Sequence, residues 1–143
     1  MSAGSPMVIR HALSGDLPQL LALYPHLNPS DPIPSLEVAQ RRLEALQKYP
    51  GSAVFIGIVD ASTIASCTLV VIPNLTRGGQ PYGLIENVVT HAQHRGRGYG
   101  KQVLRAAVMA AWDAATLAFC ASAGFEQSKT GFQVRRLPSR AQP

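Results

Sequence analysis

The sequence predicts an α+β fold, a mixed and mostly antiparallel sheet flanked by helices. Two β-rich runs, Ala53 to Asp60 and Thr63 to Ile72, are joined by Asp60-Ala61-Ser62 in the outline of an antiparallel hairpin. A further strand, Gly83 to Thr90, passes through a glycine-rich stretch into an Ala-dominated segment, Lys101 to Ala123, that holds neither Gly nor Pro and reads as a long helix. Helical periodicity also precedes the hairpin, so helices stand before and after the sheet. At 143 residues the chain fits one domain, 1–143, with flexible ends expected at about 1–6 and 138–143. A domain of this length buries roughly two-thirds of its unfolded surface without metal or disulfide help.

Each element has a local reason. Val8 to Leu13 alternates as a first strand, and Ser14-Gly15-Asp16 caps a helix with Pro18 in its first turn and Leu17, Leu20, Leu21 and Tyr24 at helical spacing. Pro25, Pro29, Pro32 and Pro34 then impose a rigid loop, read as a connector that could line a pocket. Ser35 opens a second helix in a near capping box with Val38; its apolar stripe is Leu36, Ala39, Leu43 and Leu46, and Pro50-Gly51 ends it. Asn74 to Gln80 is a polar turn. At the far end Gly124 caps the long helix, and Phe125-Glu126-Gln127 and Gly131 to Arg135 read as a closing pair of short strands.

Composition excludes several functions. Hydrophobic residues at 46% and charged residues at 15% describe an ordinary globule. The net charge of +5 lies mainly in residues 95–101 and in the tail from Arg135 to Arg140, without the interleaved aromatics of single-strand binders, so no nucleic-acid partner is expected. Cys67 and Cys120 have neither metal nor redox spacing, no metal site is expected, and Cys67 in its strand reads as a small buried apolar residue. Met1 to Pro6 lacks the features of a signal peptide and Ser62 to Pro73 is too short and polar to span a membrane, so no membrane partner is expected and the cytoplasm is the expected location.

The chemistry concentrates in Gly83 to Leu104. Glycines at 96, 98 and 100 let the backbone take φ > 0 and approach a ligand, the helix start that follows offers unpaired N–H groups, and Arg95, Arg97 and Lys101 add full charges. The combination makes an anion site suited to phosphate or pyrophosphate. It is not a P-loop, because Arg95 stands where the first glycine belongs and Gln102 where Ser/Thr belongs. Nor is it the dinucleotide fingerprint, whose third glycine would come one residue later. On the strand, the two-residue period places Leu84, Glu86, Val88 and Thr90 on one face, making Glu86 an acid in an otherwise largely apolar row and a candidate general base. Asn87 falls on the opposite face and reads as structural; His91 and His94 read as exposed.

Arg-x-x-Gly-x-Gly, at Arg95, Gly98 and Gly100 directly after a strand, resembles the acyl-CoA pyrophosphate loop of the GNAT superfamily, the general N-acetyltransferases. Met7 to Ala12 with Asp16 to Leu20 resembles that family's first strand and helix, and Phe119 to Phe125 its last helix, so the resemblance covers most of the chain in order. It implies acetyl-CoA as co-substrate, held by Arg95, Gly96, Arg97, Gly98, Tyr99, Gly100 and Lys101, with backbone contacts from Val88, Val89 and Thr90 to the pantetheine arm. It implies that Glu86 takes the amine's proton. Two departures accompany it. The family's frequent acid, a Tyr in the last helix, is here Cys120, a weak catalytic candidate. The usual strand between the long helix and the last helix is missing: Asp113 to Thr116 joins helix to helix, and the strand is deleted, borrowed, or lost with a loop absent from the sequence. An uninterrupted helix would carry Cys120 roughly 30 Å from the phosphate loop and send the chain's end to a second subunit of a homodimer. The order of motifs favours instead two helices angled apart at Ala114-Ala115. The expected activity is direct acetyl transfer from acetyl-CoA to a primary amine of a small molecule or peptide; the alternative is a degenerate, non-catalytic acyl-CoA-binding module.

Overall fold

The computed structural model describes residues 5–115. The expected last helix with Cys120 and Gly124, the closing strands and the link from Ala115 to Thr116 lie outside them. Strands β1 (Val8–His11), β2 (Ala53–Val59), β3 (Ser62–Ile72) and β4 (Tyr82–Thr90) form one antiparallel sheet in the order β1-β2-β3-β4. Helices α1 (Leu17–Leu23) and α2 (Leu36–Gln47) cover one face, and α3 (Tyr99–Ala115) covers the other. The α+β reading from the sequence is thus borne out.

The two-residue alternation of β2 and β3 separates two cores. Phe55, Ala65, Cys67, Leu69 and Val71 meet Val103, Ala107 and Ala111 of α3. Val54 and Ile56 point the other way, to Leu17, Leu20 and Leu21 of α1 and Ala39 and Leu43 of α2. The hairpin turns on Asp60 and Ala61, both left-handed at φ 48° and 65°, a pairing whose twist matches the flanking strands. Gln19 of α1 holds that turn, accepting from the Thr63 N–H at 2.8 Å and donating to the Ala61 carbonyl at 3.3 Å.

Asp16 opens α1 through a short 3-10 turn, its carboxylate accepting from the Leu13 N–H and from Arg10 at 2.7 Å. Arg10 holds the Asp16 carboxyl below its usual pKa. Ser35 caps α2 as the sequence predicts, its hydroxyl accepting from the Val38 N–H at 3.2 Å. Leu36 departs from the expected stripe: as the first helical residue it is 53% exposed, and burial begins with Ala39. Helix α3 is continuous from Tyr99 through Ala115, so Ala114 and Ala115 are both helical.

Candidate functional site

Between Glu86 and Val89 the ladder breaks. Thr68 pairs with Glu86 and Ser66 with Val89, so Asn87 and Val88 together oppose the single residue Cys67. This is a β-bulge, one extra residue that bends the strand and leaves backbone groups off the ladder. Asn87 carries the distortion at φ 54°, a left-handed conformation that Asn tolerates better than most residues. The bulge corrects the expected row of Leu84, Glu86, Val88 and Thr90, because one inserted residue reverses the facing of everything beyond it. Glu86 and Val89 now share the α1 side, whereas Thr90, paired with Ala65, shares the α3 side with Ile85. Glu86 itself is half-buried, opposite Thr68.

Beyond β4 the chain makes one 3-10 turn, Ala92–His94, and then the glycine turn. Gly96 and Gly98 are left-handed at φ 78° and 81°, as the sequence predicts. Gly100 is not: it lies inside α3, and its lack of a side chain serves close packing, since a Cβ there would stand 3.0 Å from Thr90 Oγ1. The Gln102 N–H bonds the Gly98 carbonyl at 3.1 Å, leaving the first N–H groups of α3 without helical partners. Arg97 and Lys101 are exposed, and neither is ion-paired among the described residues.

Arg95 is placed differently from its neighbours. Its Nε donates to the Thr90 carbonyl at 3.2 Å and its guanidinium NH2 to the His26 carbonyl at 2.6 Å, tying the end of β4 to the turn after α1. His26 returns the connection, its Nδ1 accepting from the Ala92 N–H at 3.1 Å. The His26 and His91 rings lie 3.9 Å apart, tilted by 37°, and His94 meets His91 edge-on at 5.6 Å, so His91 and His94 are half-buried in a cluster rather than exposed. Burial lowers the pKa of His26, and the neighbouring His91 and Arg95 push it the same way.

Two clefts meet at the bulge. One, of about 330 Å³, is bounded by His26, Leu27, Val88, Val89, Thr90 and Arg95. The other, of about 200 Å³, lies under the proline-rich loop and is walled by Leu21, Tyr24, Leu27, Ile33 and three of the loop prolines, Pro25, Pro32 and Pro34, with Asn28, Asp31 and Asn87 adding polar atoms. Leu27 belongs to both, and the chain passes from one to the other between Asn87 and Val88. The sequence reading thus finds Val88, Val89, Thr90 and Arg95 together on one cleft. It misses Tyr24, which reads as helix core, and His26, which reads as loop; and it places Asn87 as structural although Asn87 lines the second cleft. Asn87 had a usable signal, an Asn inside a β-rich run. Burial raises the Tyr24 hydroxyl's pKa more than its hydrogen bond with Thr68 lowers it.

The family model described as "Acetyltransferase (GNAT) family" matches residues 20–125. The chain belongs to the GNAT acetyltransferase family. Among solved structures, a candidate acetyltransferase from Agrobacterium tumefaciens str. C58 is 43% identical, with 90% of this chain and 99% of that one covered and a TM-score of 0.73. The glucosamine-6-phosphate N-acetyltransferase of Arabidopsis thaliana shares the fold at 19% identity and a TM-score of 0.71, covering 78% of each chain. A Trypanosoma brucei brucei protein named glucosamine 6-phosphate N-acetyltransferase is 32% identical over 91 residues, 62% of this chain; the match spans only 60% of that relative. Among the described residues of this GNAT chain no group of three or more His, Cys, Asp or Glu could hold a metal, and no helix is long and apolar enough to cross a membrane.

Proposed function

We propose that this GNAT protein transfers an acetyl group from acetyl-CoA directly to a primary amine of a small molecule or peptide, at the bulge where the two clefts meet. One observation carries the reading: adjoining clefts share Leu27 and part between Asn87 and Val88, and the larger reaches Arg95, from which the chain runs on into the glycine turn and helix start bearing Arg97 and Lys101. Acetyl-CoA fits that arrangement, because its pyrophosphate needs N–H donors and cations, which the turn from Arg95 to Lys101 supplies. Its thioester is the acetyl donor. The backbone of Val88, Val89 and Thr90, on the cleft wall and at the outer side of the last described strand, is suited to hold an extended arm by main-chain hydrogen bonds.

In the transfer the amine nitrogen forms a bond to the acetyl carbon and the carbon–sulfur bond breaks; the nitrogen, arriving as ammonium, loses two protons, one of which ends on the thiolate and the other in solvent. Glu86, one residue from the junction, is assigned as the acceptor of the amine's proton, directly or through water. Orientation of amine against thioester supplies much of the remaining acceleration. Relatives named for glucosamine 6-phosphate suggest an amine acceptor without identifying this chain's own.

The test is release of CoA thiol from acetyl-CoA across a panel of primary amines, beside calorimetric titration of CoA. Amine-dependent release is expected. Tight CoA binding with no release for any amine would replace the proposal by a non-catalytic acyl-CoA-binding module.

A further inference from the structure

Among the described residues the two clefts carry opposite charge. Among the described residues the charged side chain on the larger is Arg95, with Arg97 and Lys101 following in the glycine turn. On the smaller it is Asp31, whose Oδ1 accepts from Asn28 Nδ2 at 2.8 Å; Ser30 braces the same Asn28 by donating from its hydroxyl to Oδ1 at 2.9 Å. The rest of the smaller cleft is mainly hydrocarbon: Leu21, Leu27, Ile33 and three prolines. We infer that the smaller cleft takes a compact, non-phosphorylated primary amine with an apolar or aromatic body, and that Asp31 selects against anionic acceptors. This inference rests on the acetyl-transfer reading for its chemistry, but on the lining of the cleft for its substrate class.

The physical case has three parts. A phosphate needs cationic side chains or several N–H donors to replace its hydration; the described lining offers no cation and two side-chain amides, Asn28 and Asn87, of which Asn28 already donates to Asp31, so moving a phosphate there is costly. Asp31 adds repulsion between like charges, which discriminates between acceptors that share the same reacting amine. The same carboxylate attracts the ammonium form in which a primary amine arrives at neutral pH. Size agrees as well, because about 200 Å³ lies below the roughly 300–1,000 Å³ of sites for drug-sized ligands, so a single ring with a short aminoalkyl arm suits it better than a long peptide.

The experiment compares benzylamine, 2-phenylethylamine and glucosamine 6-phosphate as acceptors in the thiol-release assay, on the full chain and on Asp31→Lys. The expected result is a kcat/KM for the arylalkylamines at least about tenfold above that for the phosphorylated sugar, a ratio that Asp31→Lys shrinks by about tenfold or reverses. Asp31→Asn should raise KM for the amines with kcat little changed. Direct binding of benzylamine to the CoA-bound protein, followed by perturbation of the Leu21 and Ile33 methyl resonances, gives a readout that needs no turnover. Binding without release supports the cleft assignment while overturning the acetyl-transfer reading. Release that favours glucosamine 6-phosphate, or a ratio untouched by Asp31→Lys, overturns the inference while the transfer activity stands. Neither release nor binding overturns both.

Discussion

Strands β3 and β4 lie side by side and are built to different ends. In β3, Ile64, Ala65, Cys67 and Leu69 are at most 2% exposed, and beyond a one-residue slip against β2 at Ile64 the alternate residues Ala65, Cys67, Leu69 and Val71 all join the core under α3. In β4 Val89 is the buried residue, Leu84 and Val88 are each 41% exposed, and the alternation reverses at Asn87. Close packing on α3 makes β3 the part of the sheet that holds the fold. The bulge leaves β4 with backbone and side chains turned toward two clefts, which regular pairing would have used up. Of these two strands, β4 has the smaller share of core, and it is the one to which the proposed chemistry is assigned, with β3 beside it as the rigid support.

The comparison breaks most severely if the core strand proves dispensable. Leu69→Ala should destabilise the fold by about 2–5 kcal/mol, because the fully buried side chain leaves a cavity between β3 and α3; a chemical-denaturation midpoint unmoved by this change would remove β3 from its role. On β4 the opposite pattern is expected. Glu86→Gln should lower kcat and kcat/KM together by about a hundredfold while CoA affinity and the denaturation midpoint stay nearly constant. Unaltered turnover across the pH range would make Glu86 a structural residue.

A smaller effect tests the glycine turn. Gly98→Val places a β-branched residue at φ 81°, a strain of about 1–2 kcal/mol, and should weaken CoA binding by about tenfold with the sheet intact. Calorimetry showing wild-type affinity in a folded variant would detach the cofactor from residues 95–101. The smallest effect concerns His26. Its pKa is lowered in the folded chain, so the unfolded chain binds more protons as pH falls through the ordinary histidine range; the contribution is constant above that range and is lost as pH falls toward the lowered value. Protonation also removes the acceptor of the Ala92 N–H. The Ala92 amide resonance should therefore titrate below the ordinary histidine pKa, and a midpoint at or above it would mean that the connection is absent in solution.

What was legible in the sequence was the periodic part. Ala53 to Ile72 reads as a hairpin because burial on both faces selects β-branched and apolar residues. Cys67 reads as a buried thiol because its neighbours do; burial pushes its pKa to about 12, so in the folded chain it should resist alkylation at neutral pH. The turn at 95–101 reads as an anion site because Gly96 and Gly98 do need φ > 0. The reversal at Asn87 does not show, since alternation assumes that no residue is inserted. Tyr24 and His26 escape because they become site residues only when the loop after α1 folds against β4, a contact 66 positions apart in the chain between His26 and Ala92. Glu86 is recognised by its type, whereas its place beside the junction is a product of the bulge.

Arg95 fastens the borders of the two clefts to each other. By bonding the carbonyls of Thr90 and His26 it makes the turn after β4 and the start of the proline-rich loop a single mechanical unit, with Leu27, next to His26, forming the shared wall. On the proposed function, a ligand that stills the glycine turn should also still Leu27, so that ordering entropy spent on the first substrate need not be spent again on the second. The outcome expected of the proposed transfer is synergy: occupancy by the CoA thioester should lower the dissociation constant of the amine, with the amine reciprocating by the same factor.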